Sequence, residues 1–179
     1  MTQSFSASLA TINDRCVIRH GHPSDLSSLV DIYNHYIRET AITFDITPYT
    51  IEERRASWFE SFEEEGRYQC LVAEEDHRIV GYGCSTKFRP KAAYGLSVET
   101  SIYLDPQYCH QGYGPPLYDS LLARLSATGV HRAYAGITLP NPASVALHQS
   151  LGFRPCGLFR EVGFKFEQYW DVAWFEKTF

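Results

Sequence analysis

The sequence predicts a single mixed α/β domain of the α+β kind, with helices on both faces of one sheet. Three observations carry this. The 179 residues are 44% apolar and 15% aromatic, enough material for a sizeable core in one domain. From Leu96 to Leu104 the chain alternates strictly: Leu96, Val98, Thr100, Ile102 and Leu104 point one way, Ser97, Glu99, Ser101 and Tyr103 the other, which is the period of a strand. The set Leu26, Leu29, Val30, Tyr33, Tyr36 and Ile37, by contrast, recurs at helical spacing.

Taken in order, residues 1–15 are Ser/Thr/Ala-rich without periodicity and read as a mobile leader, with the folded domain spanning 16–179. Cys16 to Arg19 reads as a short strand, followed by the helix just described. Thr50 and Glu53 have capping-box form, and Trp58, Phe59 and Phe62 supply the apolar face of a second helix ending near Gly66. Cys70–Ala73 and Ile79–Cys84, separated by the charged turn 74–78, form a hairpin. Residues 88–93, with Pro90, interrupt the sheet before the alternating strand. A Gly/Pro loop then leads into a helix carrying Leu117, Leu121, Leu122 and Leu125 and stopping at Gly129. Ala133–Thr138 is a strand, Asn141-Pro142 opens a shorter helix that closes at Gly152, and aromatic-rich strands finish the chain.

Composition narrows the function. Sixteen Lys and Arg against 21 Asp and Glu leave a net charge of −5, which lacks the positive field that binding a phosphate backbone requires, so nucleic acid is not an expected partner. The five cysteines have no CxxC spacing and no histidine pair at zinc-ligand spacing, so no metal site is expected. Reduced thiols in the cytoplasm fit best. No apolar run approaches a membrane span.

Two motifs carry chemistry. Gly112 and Gly114 let backbone approach a ligand closely, and the helix that follows points N–H groups and a positive dipole end at an anion. The loop lacks the third glycine of a dinucleotide fingerprint and the Lys-Ser/Thr of a P-loop, so neither reading survives. Asn141 is a natural N-cap, and Ser144 and His148, four apart, share a helix face.

Together these residues carry a resemblance. A strand ending before a Gly-x-Gly loop and helix, then a strand, Asn-x-x-Ser and Leu151-Gly152-Phe153, resembles the acyl-CoA-binding half of the Gcn5-related N-acetyltransferase (GNAT) superfamily. Val98 to Leu104, Leu117-Tyr118 with Leu121-Leu122, Leu139-Pro140-Asn141 and Gly163-Phe164-Lys165 narrow the likeness to the phosphinothricin and methionine sulfoximine acetyltransferases, over residues 17–179.

The resemblance implies a splayed mixed sheet holding acetyl-CoA as co-substrate, no metal, transfer of the acetyl group to the amine of a small amino-acid-like substrate, and a homodimer. It implies Glu99 as general base, since an ammonium has no lone pair until a proton leaves, and His148 as the second catalytic residue, in an acid/base role toward the departing thiolate. Ile102, Tyr103, Leu104, Gln111, Gly112, Tyr113, Gly114, Asn141 and Ser144 fall at cofactor-binding positions; Phe44, Arg89, Lys91, Tyr94, Ser101 and Tyr103 fall at substrate-binding ones. The chain departs from the superfamily pattern at Cys109, where Gln or Arg is usual, and at Pro115 and Pro116, which remove two backbone donors. Acetylation of another amine, such as a polyamine or a protein N-terminus, and a degenerate CoA-binding module remain alternatives at this point.

Overall fold

A computed structural model describes residues 16–179; the expected leader lies outside the described residues. Seven strands form one sheet in the order β1 (Cys16–His20), β2 (Cys70–Glu75), β3 (Arg78–Lys87), β4 (Ser97–Leu104), β5 (Arg132–Thr138), β7 (Gln168–Thr178), β6 (Arg154–Lys165). Neighbours pair antiparallel except β4 with β5, whose parallel pairing is confined to Ser97–Glu99 against Arg132–Tyr134. Beyond Glu99 the two strands are no longer paired with each other. The sheet is thereby opened at its middle, and that opening positions the site.

Four helices cover the sheet: α1 (Leu26–Glu39), α2 (Ile51–Ser57), α3 (Gly114–Ser126) and α4 (Pro142–Ser150). Under α3, Val98, Leu117, Leu121, Leu125 and Ala133 are fully buried. On the opposite face, Leu26, Leu29 and Val30 of α1 pack with Val72, Ile79 and Tyr82. The predicted periodicities therefore place both helices correctly, because each apolar stripe has a sheet face to cover.

The predicted second helix is too long. α2 has the expected capping box, with Thr50 Oγ1 accepting from Glu53 N–H at 3.2 Å, but it stops at Ser57. Successive residues on a helix lie about 100° apart, so Trp58 and Phe59 could not both face the sheet from an unbroken one. Non-helical backbone at Trp58 (φ −141°, ψ −55°) breaks the helix, and both residues become 9% exposed, Trp58 5.5 Å from the Tyr82 ring. The alternating strand also differs from its reading. Leu96 lies just outside β4 and is 55% exposed, while Tyr103, on the face read as chemical, packs against Tyr33 and Tyr82.

One ion-pair cluster ties β1 to α1. Arg19 meets Asp25 with two bonds of 2.6 and 2.9 Å and donates from Nε to Glu74 at 2.7 Å. Burial alone would raise the Asp25 pKa, but the Arg19 bonds and the His22 N–H outweigh it and hold the carboxyl below its usual range. Its contribution to stability is therefore present above the ordinary carboxylate pKa and lost as pH falls through the folded value. Arg19→Met should cost about 2 kcal/mol, discounted for Arg19's partial exposure, because Asp25 would be left charged and 8% exposed. Urea unfolding at pH 7 checks the size, and repetition at acid pH should show the difference shrinking.

Candidate active site

The opening in the sheet leads to two connected spaces. A cavity of about 50 Å³ sits between the unpaired ends of β4 and β5, lined by Ser101, Ile102, Gly136, Thr138, Ser144 and His148 among others. A larger cleft of about 770 Å³ runs from Ile102 and Leu104 past Gly112 and Gly114 to Asn141, Ser144 and Leu147. Ile42, Ile102, Asn141 and Ser144 border both.

The glycine loop forms one end of the cleft. His110 (φ 62°) and Gly112 (φ 91°) are in the left-handed region, which curls the chain and turns its amides away from the usual ladder partners. Among the described residues the N–H groups of Gln111, Gly112 and Tyr113 make no backbone bond. Gln111 and Tyr113 are not among the residues lining the cleft: the Tyr113 side chain is buried in the core and the Gln111 side chain donates to Gln107 O at 2.7 Å, which leaves only their backbone to serve a ligand. Pro115 and Pro116 occupy the first turn of α3, and Leu117 N–H is bonded to Tyr113 O at 3.3 Å. The open backbone donors ahead of the two prolines are therefore those of 111–113. Opposite them the cleft is apolar, through Ile102, Leu104, Ala143 and Leu147. Unbonded amides at one end and an apolar trough leading to a narrow gap fit a long cofactor with a phosphate end and a reactive acyl end.

Glu99 stands at the last position where β4 pairs with β5, beside Thr86 on β3 and Tyr134 on β5. Burial raises its pKa above the ordinary carboxylate value, and the Arg89 guanidinium opposes that shift. Arg89 itself lies 4.3 Å from the Phe88 ring centroid and 5.7 Å from that of Trp174, while Phe88 stacks on Tyr134 at 4.3 Å. An exposed cation thus lies near a partly desolvated carboxylate. Such a carboxylate binds a proton more readily than one in water, as a base for ammonium must.

His148 approaches from the other side of β4. It is 3% exposed, with Nδ1 2.8 Å from Ser144 O and 3.4 Å from Ser144 Oγ, and Nε2 3.1 Å from the Tyr118 hydroxyl. Tyr118 Oη is in turn 2.7 Å from Thr100 Oγ1. Burial lowers the His148 pKa, so the ring is neutral at neutral pH; the bond to Ser144 O opposes that shift. Asn141 Oδ1 accepts from Ser144 N–H at 3.1 Å, the predicted N-cap that starts α4 and fixes the Ser144–His148 face.

The other predicted residues are dispersed. Ser101 and Tyr103 border the gap, the Tyr103 ring also lying 5.2 Å from Tyr36. Tyr94 is 45% exposed beside Phe88, and Lys91 is exposed on the same loop. Phe44 lies against Gly163 of β6 and lines a separate cavity of about 770 Å³ with Asp45 and Tyr49, and does not line the gap. In its place Ile42, two residues earlier, reaches the gap. Sequence reasoning missed Ile42, Thr100 and Tyr118. Ile42 sits in a loop without periodicity, and Tyr118 reads as one more apolar position of α3. Among the described residues no group of side chains is arranged to hold a metal, and no helix is long and apolar enough to cross a membrane.

Comparison with known proteins agrees with this geometry. Residues 18–174 match the acetyltransferase (GNAT) domain family. The chain is 51% identical over 162 residues to a phosphinothricin N-acetyltransferase of Streptomyces coelicolor, covering 89% of this chain and 94% of that protein. It is 31% identical to an L-methionine sulfoximine/L-methionine sulfone acetyltransferase of Salmonella typhimurium, over 89% of this chain and 92% of that one. The crystal structure of a GNAT phosphinothricin acetyltransferase from Sinorhizobium meliloti in complex with acetyl-CoA superposes with a TM-score of 0.86 at 32% identity, covering 92% of this chain and 88% of that one.

Proposed function

The chain belongs to the GNAT acetyltransferase family, and from that premise we propose that it acetylates the amine of a small amino-acid-like substrate, of the phosphinothricin or methionine sulfoximine type, with Glu99 as general base. The observation that carries the reading is Glu99 itself: a half-buried carboxylate of raised pKa at the point where β4 and β5 part. Acetyl-CoA supplies a thioester whose carbonyl carbon the amine attacks. Glu99 accepts the ammonium proton, directly or through water, so that the nitrogen lone pair can form the new bond. Arg89 places a guanidinium where an acceptor's own anionic group is attracted, which suits an amino acid and not a polycationic polyamine.

The amides of 111–113 hold the phosphate end of the cofactor, and Ile102, Leu104, Asn141 and Ser144 line its path to the gap. Because Pro115 and Pro116 withhold two donors, the double variant Pro115→Ala/Pro116→Ala should bind acetyl-CoA about tenfold more tightly by calorimetry, the scale of one added bond to a charged group. Unchanged affinity would place the phosphates elsewhere.

Thiol release from acetyl-CoA, followed with a panel of L-amino acids, phosphinothricin and spermidine, tests the main reading. Turnover with spermidine and none with amino acids would overturn it. Two further proposals accompany it. The edge strand β6, its turn and the start of β7 expose Leu158, Phe159, Val162, Phe164, Phe166 and Tyr169 at 43–65%, an apolar edge suited to a homodimer. Sedimentation showing only a 20.4 kDa species at micromolar concentration would count against it. The thiols of Cys70 and Cys84, buried and not joined in a disulfide, accord with residence in the reducing cytoplasm.

A further inference from the structure

We propose that Tyr118 is a positioning residue of the transfer reaction: by donating to His148 Nε2 it makes the imidazole present Nδ1–H to Ser144, which leaves the Ser144 hydroxyl to donate into the gap between β4 and β5. The inference rests on the acetyltransferase reading above, while the direction of the hydrogen-bond chain follows from the geometry and the burial of the ring.

A carbonyl oxygen only accepts, so Nδ1, 2.8 Å from Ser144 O, carries a proton. The ring is enclosed by Tyr118 from α3, Phe153 beyond α4 and Phe175 from β7, and Tyr118 is the titratable group among them. Burial lowers the His148 pKa from the ordinary imidazole value, which favours the neutral ring at neutral pH. A neutral ring protonated at Nδ1 has a lone pair at Nε2, and the Tyr118 hydroxyl, 3.1 Å away, must donate to it. Tyr118 has then spent its single proton. Its oxygen, 2.7 Å from Thr100 Oγ1, accepts from Thr100; were Thr100 to donate instead to Tyr134 O, 3.2 Å away, two lone pairs would face each other at 2.7 Å. The chain therefore runs from Thr100 to Tyr118 to His148 to Ser144. Its far end is a side chain that borders both the gap and the long cleft.

At that junction the Ser144 hydroxyl accepts weakly from Nδ1–H at 3.4 Å and is free to donate to the sulfur as it departs. The ammonium gives one proton to Glu99, the freed nitrogen lone pair forms the C–N bond, the C–S pair passes to sulfur, and the second N–H proton, acidic once nitrogen is bonded to the acyl carbon, passes to the departing sulfur to give the free thiol. No proton moves along the chain. His148 acts here as a fixed neutral donor, a role that does not depend on its titration.

Nitrogen-15 NMR of the histidine-labelled full chain, with His148→Gln to assign the signal, should show Nδ1 protonated and Nε2 bare between pH 7 and pH 8. Tyr118→Phe should shift that tautomer balance and lower kcat about tenfold while KM for acetyl-CoA changes less than about twofold, the signature of lost positioning and not of lost binding. Ser144→Ala should lower kcat at least as far, and the double variant no further than Ser144→Ala, since both act at one donor. If Tyr118→Phe does not fold, Thr100→Val carries the same test, with Thr100→Ser restoring the chain. A wild-type ring protonated at Nε2, or an altered tautomer with unchanged kcat, overturns the proposal. A wild type that transfers no acetyl group to amino acids would overturn the functional reading instead, and the NMR would still decide the chain.

Discussion

Glu99→Gln should lower kcat by roughly 10²-fold or more at neutral pH, the usual scale for a lost general base, while leaving acetyl-CoA affinity close to that of the wild type. The glutamine fits the same volume and cannot accept the ammonium proton. The deficit should shrink as pH rises, because more of the acceptor then arrives unprotonated. The stability change has the opposite sign from that of an ordinary damaging substitution. The folded pKa of Glu99 is raised, so the ionised carboxylate costs stability at pH values above it, and the neutral amide should leave the melting temperature unchanged or higher. Lower activity with undiminished stability separates loss of a base from misfolding.

Arg89→Gln supplies the companion test. Burial is the larger influence on Glu99 and raises its pKa, while Arg89 pulls it back. Removing the guanidinium should therefore move the acidic limb of the pH–rate profile to higher pH, as Glu99 stays protonated longer. Matching profiles for wild type and Arg89→Gln would separate Arg89 from the base. Equal turnover in Glu99→Gln would return Glu99 to a structural role.

What could be read from the sequence follows the range of the interactions involved. Asn141 as N-cap, the α3 stripe and the Glu99 strand are local patterns whose periods match the surface they cover, and each is found where the spacing places it. The end of α2 was not legible, because it is set by Trp58 and Phe59 competing for one sheet face under Tyr82, a contact across more than twenty residues. The site divides in the same way. Glu99 and the Ser144–His148 face come from single elements, whereas the Tyr118–His148 bond joins residues 30 apart and Thr100 joins Tyr118 across 18. A tyrosine at an apolar helix position gives no sign that its hydroxyl meets a histidine. Phe44 illustrates the reverse: the family resemblance implies it at the substrate site, but the loop 40–50 is held by Lys165 donating to Thr43 O at 2.7 Å and by Tyr33 donating to Asp45 at 2.7 Å. Those anchors lay the Phe44 ring on Gly163 and give the gap to Ile42.

Gly81→Val should destabilise the fold by about 3 kcal/mol and weaken acetyl-CoA binding at the same time. Strand propensity argues the other way, since glycine inside a strand costs roughly 0.5–1 kcal/mol relative to a residue with a side chain. Packing decides the sign. Gly81 pairs with Leu104 on β4, and a Cβ at position 81 would run into the Leu104 side chain and come within 2.9 Å of Tyr103 O and 3.2 Å of Leu104 Cα. Two of those obstacles are backbone, which cannot swing aside as a side-chain tip would, so β3 and β4 must separate locally. Leu104 lines the long cleft, its carbonyl accepts from the Tyr36 hydroxyl at 2.7 Å, and the next residue, Asp105, donates N–H to Val80 O at 2.9 Å. Displacing it disturbs the cleft wall on three sides. Glu99 lies five residues earlier on β4, paired with Thr86 beyond the disturbance, so kcat at saturating acetyl-CoA should fall less than KM rises. Thermal unfolding and initial-rate kinetics on the one variant read both effects, and a Gly81→Val protein as stable as wild type would show that the β3–β4 contact is looser than these distances require.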